Sequence, residues 1–321
     1  MSNLTLKQLR YFEALARHGH FGRAAADCAI SQPALSVQIK ELEAGLGVTL
    51  FERGARQVRL TGFGTEFALR VRDILRSVDE LDDLARAAND RLVGRLRIGV
   101  IPTIAPYLLP SLIGHLTDDN PRLDLQVRET LTPRLIEELG DGRIDTAIVA
   151  LPVSEPAFVE TPLFDEAFVL VRPVAEAGDP VPSGEALRRM RLLLLEEGHC
   201  FRDQALAFCH TPSTLPRDGL DGSSLSTLVQ MVGAGIGVTL IPEMAVPVET
   251  GSAPVCVAHF GAPQPQRTIG MIWRRSSPLT GQLTHIADIV RRAATAMQDR
   301  HAAEARGLPS GQRANRSPLM P

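Results

Sequence analysis

Between Phe67 and Ala88 the apolar residues Phe67, Val71, Ile74, Val78, Leu81, Ala85 and Ala88 recur at intervals of 4, 3, 4, 3, 4 and 3. A 3.5-residue period held for three heptads predicts one long helix, about Phe63 to Ala88, with a single apolar seam. Arg72, Asp73, Arg76, Asp79, Glu80, Asp82 and Asp83 cover the rest of its surface. A lone amphipathic helix lying on its own domain fits this pattern too, but so regular a seam favours two copies packed together. The helix also divides the chain into a head (1–61), the helix itself as a dimerisation linker (62–92), a body (93–300) and a tail (301–321).

The head reads as three helices and a small wing. Leu6 to His18 carries Leu9, Phe12, Leu15 and Ala16 on one stripe, and an alanine-rich turn of helix runs from Gly22 to Cys28. Ser31 is a fit N-cap for a third helix, Gln32 to Leu46, and Pro33 sits just inside it, where a missing N–H costs nothing. Two short helices across a tight turn form a helix-turn-helix. Residues of the second helix (Ser31, Gln32, Pro33, Ser36, Gln38) are placed to reach base edges, and Lys40, with Arg53 and Arg56 in a two-stranded wing, to reach phosphates. A three-helix interaction module with solvated charges is the plainer alternative. Charge supports the DNA reading. Residues 1–60 hold eight Lys and Arg against five Asp and Glu, net +3, which leaves −6 for the remainder of a chain whose total is −3.

Hydrophobic content of 44% and charged content of 22% are ordinary for a soluble globular protein. Cys28, Cys200, Cys209 and Cys256 are irregularly spaced, with no CxxC pair, so neither a structural disulfide framework nor a metal site is expected. The N-terminal MSNLTLKQLRYF lacks the apolar core of a secretory signal, and Gln230, Pro242, Glu243, Pro247 and three glycines interrupt the stretch Leu228–Val248. A cytoplasmic location without membrane contact is the expectation.

From Arg95 onward, apolar strands alternate with helices: strand 95–101, helix to about Leu116, strand 123–128, helix to Leu139 and strand 145–150. Strands 168–172 and 191–195, helix 224–233, strands 237–241 and 268–274, and a last helix 279–297 follow. The alternation predicts parallel sheet with helices on both faces, in two doubly wound lobes that share strands. Lobe I covers about 93–165 and 268–300, and lobe II about 166–267. That is the organisation of a periplasmic-binding-protein-like α/β domain, with a ligand cleft at strand-to-helix turns. Thr103 and Thr132 occupy such turns, where a structural cap explains each threonine as well as ligand binding does. Pro, Ser, Gly, Arg and Asn without periodicity make 301–321 a disordered tail.

Within the body, one stretch carries chemistry. Leu192–Leu195 reads as a buried strand, Glu196, Glu197 and Gly198 end it, and Phe201–Phe208 has helical spacing. Cys200 then falls at a helix N-terminus, flanked by His199 and Arg202, a setting that favours the thiolate. Cys209 is nine positions on, roughly 13 Å along a helix axis, whereas a disulfide needs Cα atoms within about 7 Å. Helix and bond therefore exclude each other, which is the layout of a redox switch. Spacing alone favours the plainer reading, in which one cysteine fills core and the other is incidental.

The assembled pieces resemble a known family. Residues 1–60, with FGRAAADCAISQPALSVQIKELEAGLGVTLFERGARQVRLTGFG, resemble the LysR-type transcriptional regulators, and the resemblance spans roughly residues 4–300. The segments IGVIPTIAPYLLP, FVETPLFDEAFVL, LLLLEEGHCFRDQALAFC, GIGVTLIPEMAVP and RTIGMIWRRSSPL are similar to the peroxide-sensing (OxyR) branch of that family. GHCxRDQ followed by a second cysteine is the most specific of these. The resemblance implies a peroxidatic Cys200, a resolving Cys209, and a pocket for hydrogen peroxide lined by Thr103, Thr132, His199, Arg202 and Arg267. It also implies a homodimer or homotetramer on a double-stranded promoter with two-fold half-sites, RNA polymerase as a further partner, and no cofactor. A regulator is expected, not an enzyme. The rival within the family answers a small metabolite in the inter-lobe cleft. A thiol peroxidase or a bare binding protein would have no use for residues 1–90.

Overall fold

A computed structural model describes residues 4–53, 58–87, 94–209 and 221–305, which form two compact units, 1–88 and 89–321. In the first unit, helices α1 (Leu6–His18), α2 (Phe21–Asp27) and α3 (Gln32–Leu46) precede strands β1 (Phe51–Arg53) and β2 (Val58–Leu60), which pair antiparallel. Helix α4 (Gly62–Ala87) follows. Sequence capping explains the boundaries. Thr5 and Gln8 make a reciprocal capping box on α1, and the Ser31 hydroxyl accepts from the Ala34 amide at 3.3 Å to start α3. Ala24 and Ala25 are buried at the crossing of α2 with its neighbours, where larger side chains would hold the helices apart.

The plainer reading holds for the first half of the long helix, which packs on its own domain. Phe67 and Val71 complete the core of the head; the Phe67 ring stands 5.0 Å from that of Phe12, which also meets Phe51. A Cβ on Gly64 would run into the Leu50 carbonyl, so only glycine lets the helix start this close to the wing. Beyond that turn the seam opens. Ile74 is 43% exposed and Leu81 65% exposed, while Ala88 lies outside the described residues.

The second unit is built on a nine-stranded sheet. On one side lie β3 (Gly94–Val100), α5 (Ala105–Asp119), β4 (Leu123–Glu129), α6 (Thr132–Gly140) and β5 (Thr146–Leu151), with parallel pairing of β4, β3 and β5. Strand β6 (Phe158–Pro173) leads to the other side: α7 (Gly184–Leu187), β7 (Leu192–Leu195), α8 (Cys200–Phe208), β8 (Asp221–Gly222), α9 (Leu225–Gly233), β9 (Val238–Pro242) and α10 (Val246–Glu249). Then come β10 (Val255–His259), β11 (Gln266–Arg274) and α11 (Thr280–Ala305), which packs on α5.

The two lobes are present, but the sheet is mixed. Strand β6 runs antiparallel to β11 along its first half and to β9 and β10 along its second, so one 16-residue strand belongs to both lobes. Only its end, 168–172, was legible as strand. Pro162, Asp165 and Glu166 interrupt the apolar alternation before it. Each has a reason in the structure. Pro162 sits at a register shift against β11, where a missing N–H breaks no ladder. Asp165 accepts from the Thr268 hydroxyl at 2.6 Å, and Glu166 lies directly opposite Arg267. Strand β10, VCVAH at the sheet edge, was not anticipated. The last helix runs to Ala305, past the expected start of the tail; 306–321 lies outside the described residues.

Candidate functional site

In the head, Ser31, Gln32, Pro33 and Lys40 are exposed on α3, and Ser36 is half-buried between them. They share one face with Val37, an apolar side chain left 51% exposed among polar neighbours. Gln38 is turned partly inward, and its amide donates to Glu41 at 2.7 Å. The wing is fixed by the Val58 amide, which donates to the Gly19 carbonyl at 3.1 Å. Arg56 and the Arg53 side chain lie outside the described residues. Reading from sequence missed Val37, because an apolar residue on a helix is assigned to the core by default.

The thiol site lies where β7 passes into α8. Gly198 takes φ +94°, a left-handed conformation, and a Cβ there would stand 3.0 Å from Leu131 of the other lobe. That turn delivers His199 as N-cap and Cys200 as the first residue of α8, half-exposed, at the end of the helix where unpaired amides favour negative charge. Cys209 caps the far end and is fully buried; the two are not disulfide-bonded. Burial pushes the His199 imidazole below its ordinary value, against an opposing pull from Glu196, so the ring is held toward the neutral form. Helix α8 is docked by aromatic contacts near both ends. Phe201 meets Phe168 edge-on at 4.8 Å, and Phe208 meets Phe260 at 5.0 Å.

The two cations expected beside the sulfur each carry their own carboxylate. Arg202 donates to the Leu195 carbonyl at 2.7 Å and pairs with Asp221 at 3.0 Å, which ties α8 to β7 and β8. Arg267, 1% exposed, donates to Glu166 at 2.7 Å, to the Thr103 hydroxyl at 2.9 Å and to the Thr103 carbonyl at 3.2 Å. Its guanidinium also lies 5.1 Å over the Phe201 ring. A guanidinium can only donate. The Thr103 oxygen is therefore the acceptor, and its own proton is left to point elsewhere. Glu166 is raised above the usual carboxylate range by burial, a shift opposed by Arg267. Nothing local in the sequence marks this glutamate; its partner is 101 positions away.

Between the lobes is a cavity of about 370 Å³. Thr103, Tyr107 and Leu131 line it from one lobe, and His199, Ser226 and Glu249 from the other. Of the five expected pocket residues, Thr103 and His199 face this cavity directly. Arg267 touches Thr103 from beneath, and Arg202 is turned toward β7 and β8. Thr132 begins α6 beside Leu131, and its hydroxyl oxygen is buried with no hydrogen-bond partner among the described residues. Buried polar groups are ordinarily hydrogen-bonded, so this hydroxyl, next to the Gly198 turn, stands out. No group of three or more metal-ligating side chains occurs among the described residues. No described helix is long and apolar enough to cross a membrane.

Comparison with known proteins agrees with this division. Residues 6–65 match the bacterial regulatory helix-turn-helix protein model of the lysR family, and residues 89–295 match the LysR substrate binding domain. A probable hydrogen peroxide-inducible genes activator from Streptomyces viridosporus is 44% identical over 294 residues, covering 90% of this chain and 94% of the relative. The DNA-binding transcriptional dual regulator OxyR of Escherichia coli is 40% identical over 292 residues, covering 90% and 95%. Among solved structures, a full-length Pseudomonas aeruginosa OxyR with one cysteine replaced by aspartate has a TM-score of 0.72 at 38% identity, covering 91% of this chain and 96% of that one. A Corynebacterium glutamicum OxyR cysteine-to-serine mutant, described as hydrogen peroxide-bound, has a TM-score of 0.66 at 36% identity, covering 97% and 98%. The chain belongs to the LysR family of transcriptional regulators and, within it, to the OxyR branch.

Proposed function

We propose that this chain is a hydrogen peroxide-responsive transcriptional regulator in which Cys200 is the sensing thiol and Cys209 its resolving partner. One observation carries the reading: a half-exposed cysteine and a sealed one cap opposite ends of a single intact helix. In the first step the Cys200 thiolate attacks one peroxide oxygen and the O–O bond breaks. The sulfur is oxidised to sulfenic acid, and the leaving hydroxide takes a proton and departs as water. A donor must serve that leaving oxygen. The Thr103 proton freed by Arg267, the unpaired Thr132 hydroxyl and His199 are the groups for this task. In the second step the Cys209 sulfur attacks Cys200, an S–S bond forms and a second water leaves. That bond requires α8 to unwind, which releases Phe201 from Arg267 and Phe168 and alters how the chain engages DNA.

At the other end of the chain, Ser31, Gln32, Pro33, Ser36 and Lys40 read a promoter in the major groove, with Gln38 bracing Glu41 and Arg53 and Arg56 contacting phosphate. The open seam beyond Val71 on α4 joins two copies over two-fold half-sites, as a dimer or within a tetramer, with RNA polymerase as the further partner of an activator in the cytoplasm. A cavity of about 370 Å³ is within the range of small-molecule sites and larger than peroxide requires. It favours, as a second reading, a metabolite-responsive regulator. Thiol titration with stoichiometric peroxide separates the two. The sensing reading predicts that Cys200 and Cys209 are lost together and regained with dithiothreitol; unchanged thiols would leave the metabolite reading.

A further inference from the structure

Lobe I supplies Thr103 and Thr132, and lobe II supplies His199 and Cys200, so the groups assigned to the peroxide reaction meet only if the lobes are held at one separation. Something must set that separation. Arg267 holds Thr103 from the strands that join the two lobes, while the approach of Gly198 to Leu131 is apolar and places no limit on opening. A directional contact lies one helical turn beyond Thr103. The Tyr107 hydroxyl, on α5 of lobe I, donates to one Glu249 oxygen at 2.7 Å, across 142 positions of sequence. The Ser226 hydroxyl, on α9 of lobe II, donates to the other at 2.5 Å. Tyr107 is 7% exposed and Glu249 8%. Burial and the adjacent carboxylate push the phenol well above its ordinary range, so it stays protonated and remains a donor.

We propose that Tyr107 and Glu249 are positioning residues for the peroxide reaction: a buried, charge-assisted tie that fixes the closure of the two lobes and so the place of the Thr103 hydroxyl relative to Cys200. The tie rests on the sensing role assigned to Cys200 above. A hydrogen bond to a buried carboxylate is strong, and breaking it leaves the charge facing an apolar ring edge. Water entering to solvate Glu249 would part the lobes along that wall of the cavity. Peroxide chemistry needs groups from both lobes and would slow. Alkylation of the same sulfur by iodoacetamide needs only an accessible thiolate and would not.

The experiment measures both rates at Cys200, by peptide mass, in the full-length reduced protein. Wild type is compared with Tyr107→Phe, Glu249→Gln and Glu249→Leu. Tyr107→Phe is expected to slow peroxide oxidation on the order of tenfold, with iodoacetamide alkylation equal or faster. Glu249→Gln, which retains an acceptor for Tyr107, is expected to slow it less than Glu249→Leu. Equal peroxide rates in wild type and Tyr107→Phe would overturn the tie while leaving the sensing role intact. A parallel fall in both rates would also overturn it, since a general loosening of the fold would then explain the effect. A wild-type Cys200 that ignores peroxide would remove the sensing role and the tie together.

Discussion

The candidate reading face of the head and the candidate sensing cleft of the body are built in opposite ways. On α3 the candidate side chains Gln32, Pro33 and Lys40 stand in the open, and the helix beneath them is fixed by an ordinary apolar core of Leu35, Ile39 and Leu42. In the cleft the charged side chains are committed to one another or to a neighbour: Arg267 to Glu166 and Thr103, Arg202 to Asp221, Glu249 to Tyr107. An open face can meet many partners and be tuned one side chain at a time. A cleft of compensated charges has one arrangement, and changing any member disturbs the rest. The contrast is between specificity by contact and sensitivity by constraint.

The largest expected effect is on the cleft. Cys200→Ser is expected to abolish the peroxide response and leave the DNA footprint of the reduced form; a footprint that still shifts with peroxide would break the thiol mechanism. Next is stability. Glu166→Leu strands a buried guanidinium and is expected to cost about 3–5 kcal/mol in denaturant unfolding. Asp27→Ala, which removes an exposed partner of Arg17 in the head, is expected to cost about 1 kcal/mol or less. Similar costs for the two would erase the distinction between the regions.

Smaller effects belong to the head. Gln32→Ala is expected to weaken discrimination at one base pair by about 1–3 kcal/mol, measured as binding to a panel of single-base variants. Val37→Asn is expected to lower a preference for thymine over uracil at one position, since an exposed apolar side chain on this face can meet a thymine methyl and a polar one cannot. The smallest effect is one of pH. Because burial pushes the His199 imidazole below its ordinary value, the folded state takes up its proton less readily than the unfolded chain does. Its contribution to stability is full above the ordinary imidazole value of 6.5 and is lost as pH falls below it. The unfolding midpoint of His199→Asn is expected to fall less steeply between pH 7 and 5.5 than that of wild type, at about those bounds.

How legible each region was follows from the range of its interactions. Helices α1 and α3 were readable to the residue because Thr5, Ser31 and the glycines after His18 and Leu46 are local signals. The turn that sets Cys200 at the start of α8 was equally local, in Leu192–Leu195 followed by Gly198. Glu166 and Glu249 were not, because a glutamate becomes functional there only through a partner more than a hundred positions away. Strand β6 was half-legible for the same reason: its apolar end looks like a strand, while Pro162 and Glu166 are tolerated only because of what β11 offers opposite them. The reading from sequence set Arg202 and Arg267 beside the sulfur; in the structure the contacts of each run to a carboxylate and a backbone carbonyl. Their carboxylate partners, Asp221 and Glu166, came only with the structure.

Hydrogen exchange of the α8 amides, residues 200–208, before and after one equivalent of peroxide, tests the central claim most directly. The account predicts that these amides are protected in the reduced protein and lose protection as the Cys200–Cys209 bond forms, while those of α3 do not change. A disulfide that forms with α8 still protected would contradict it.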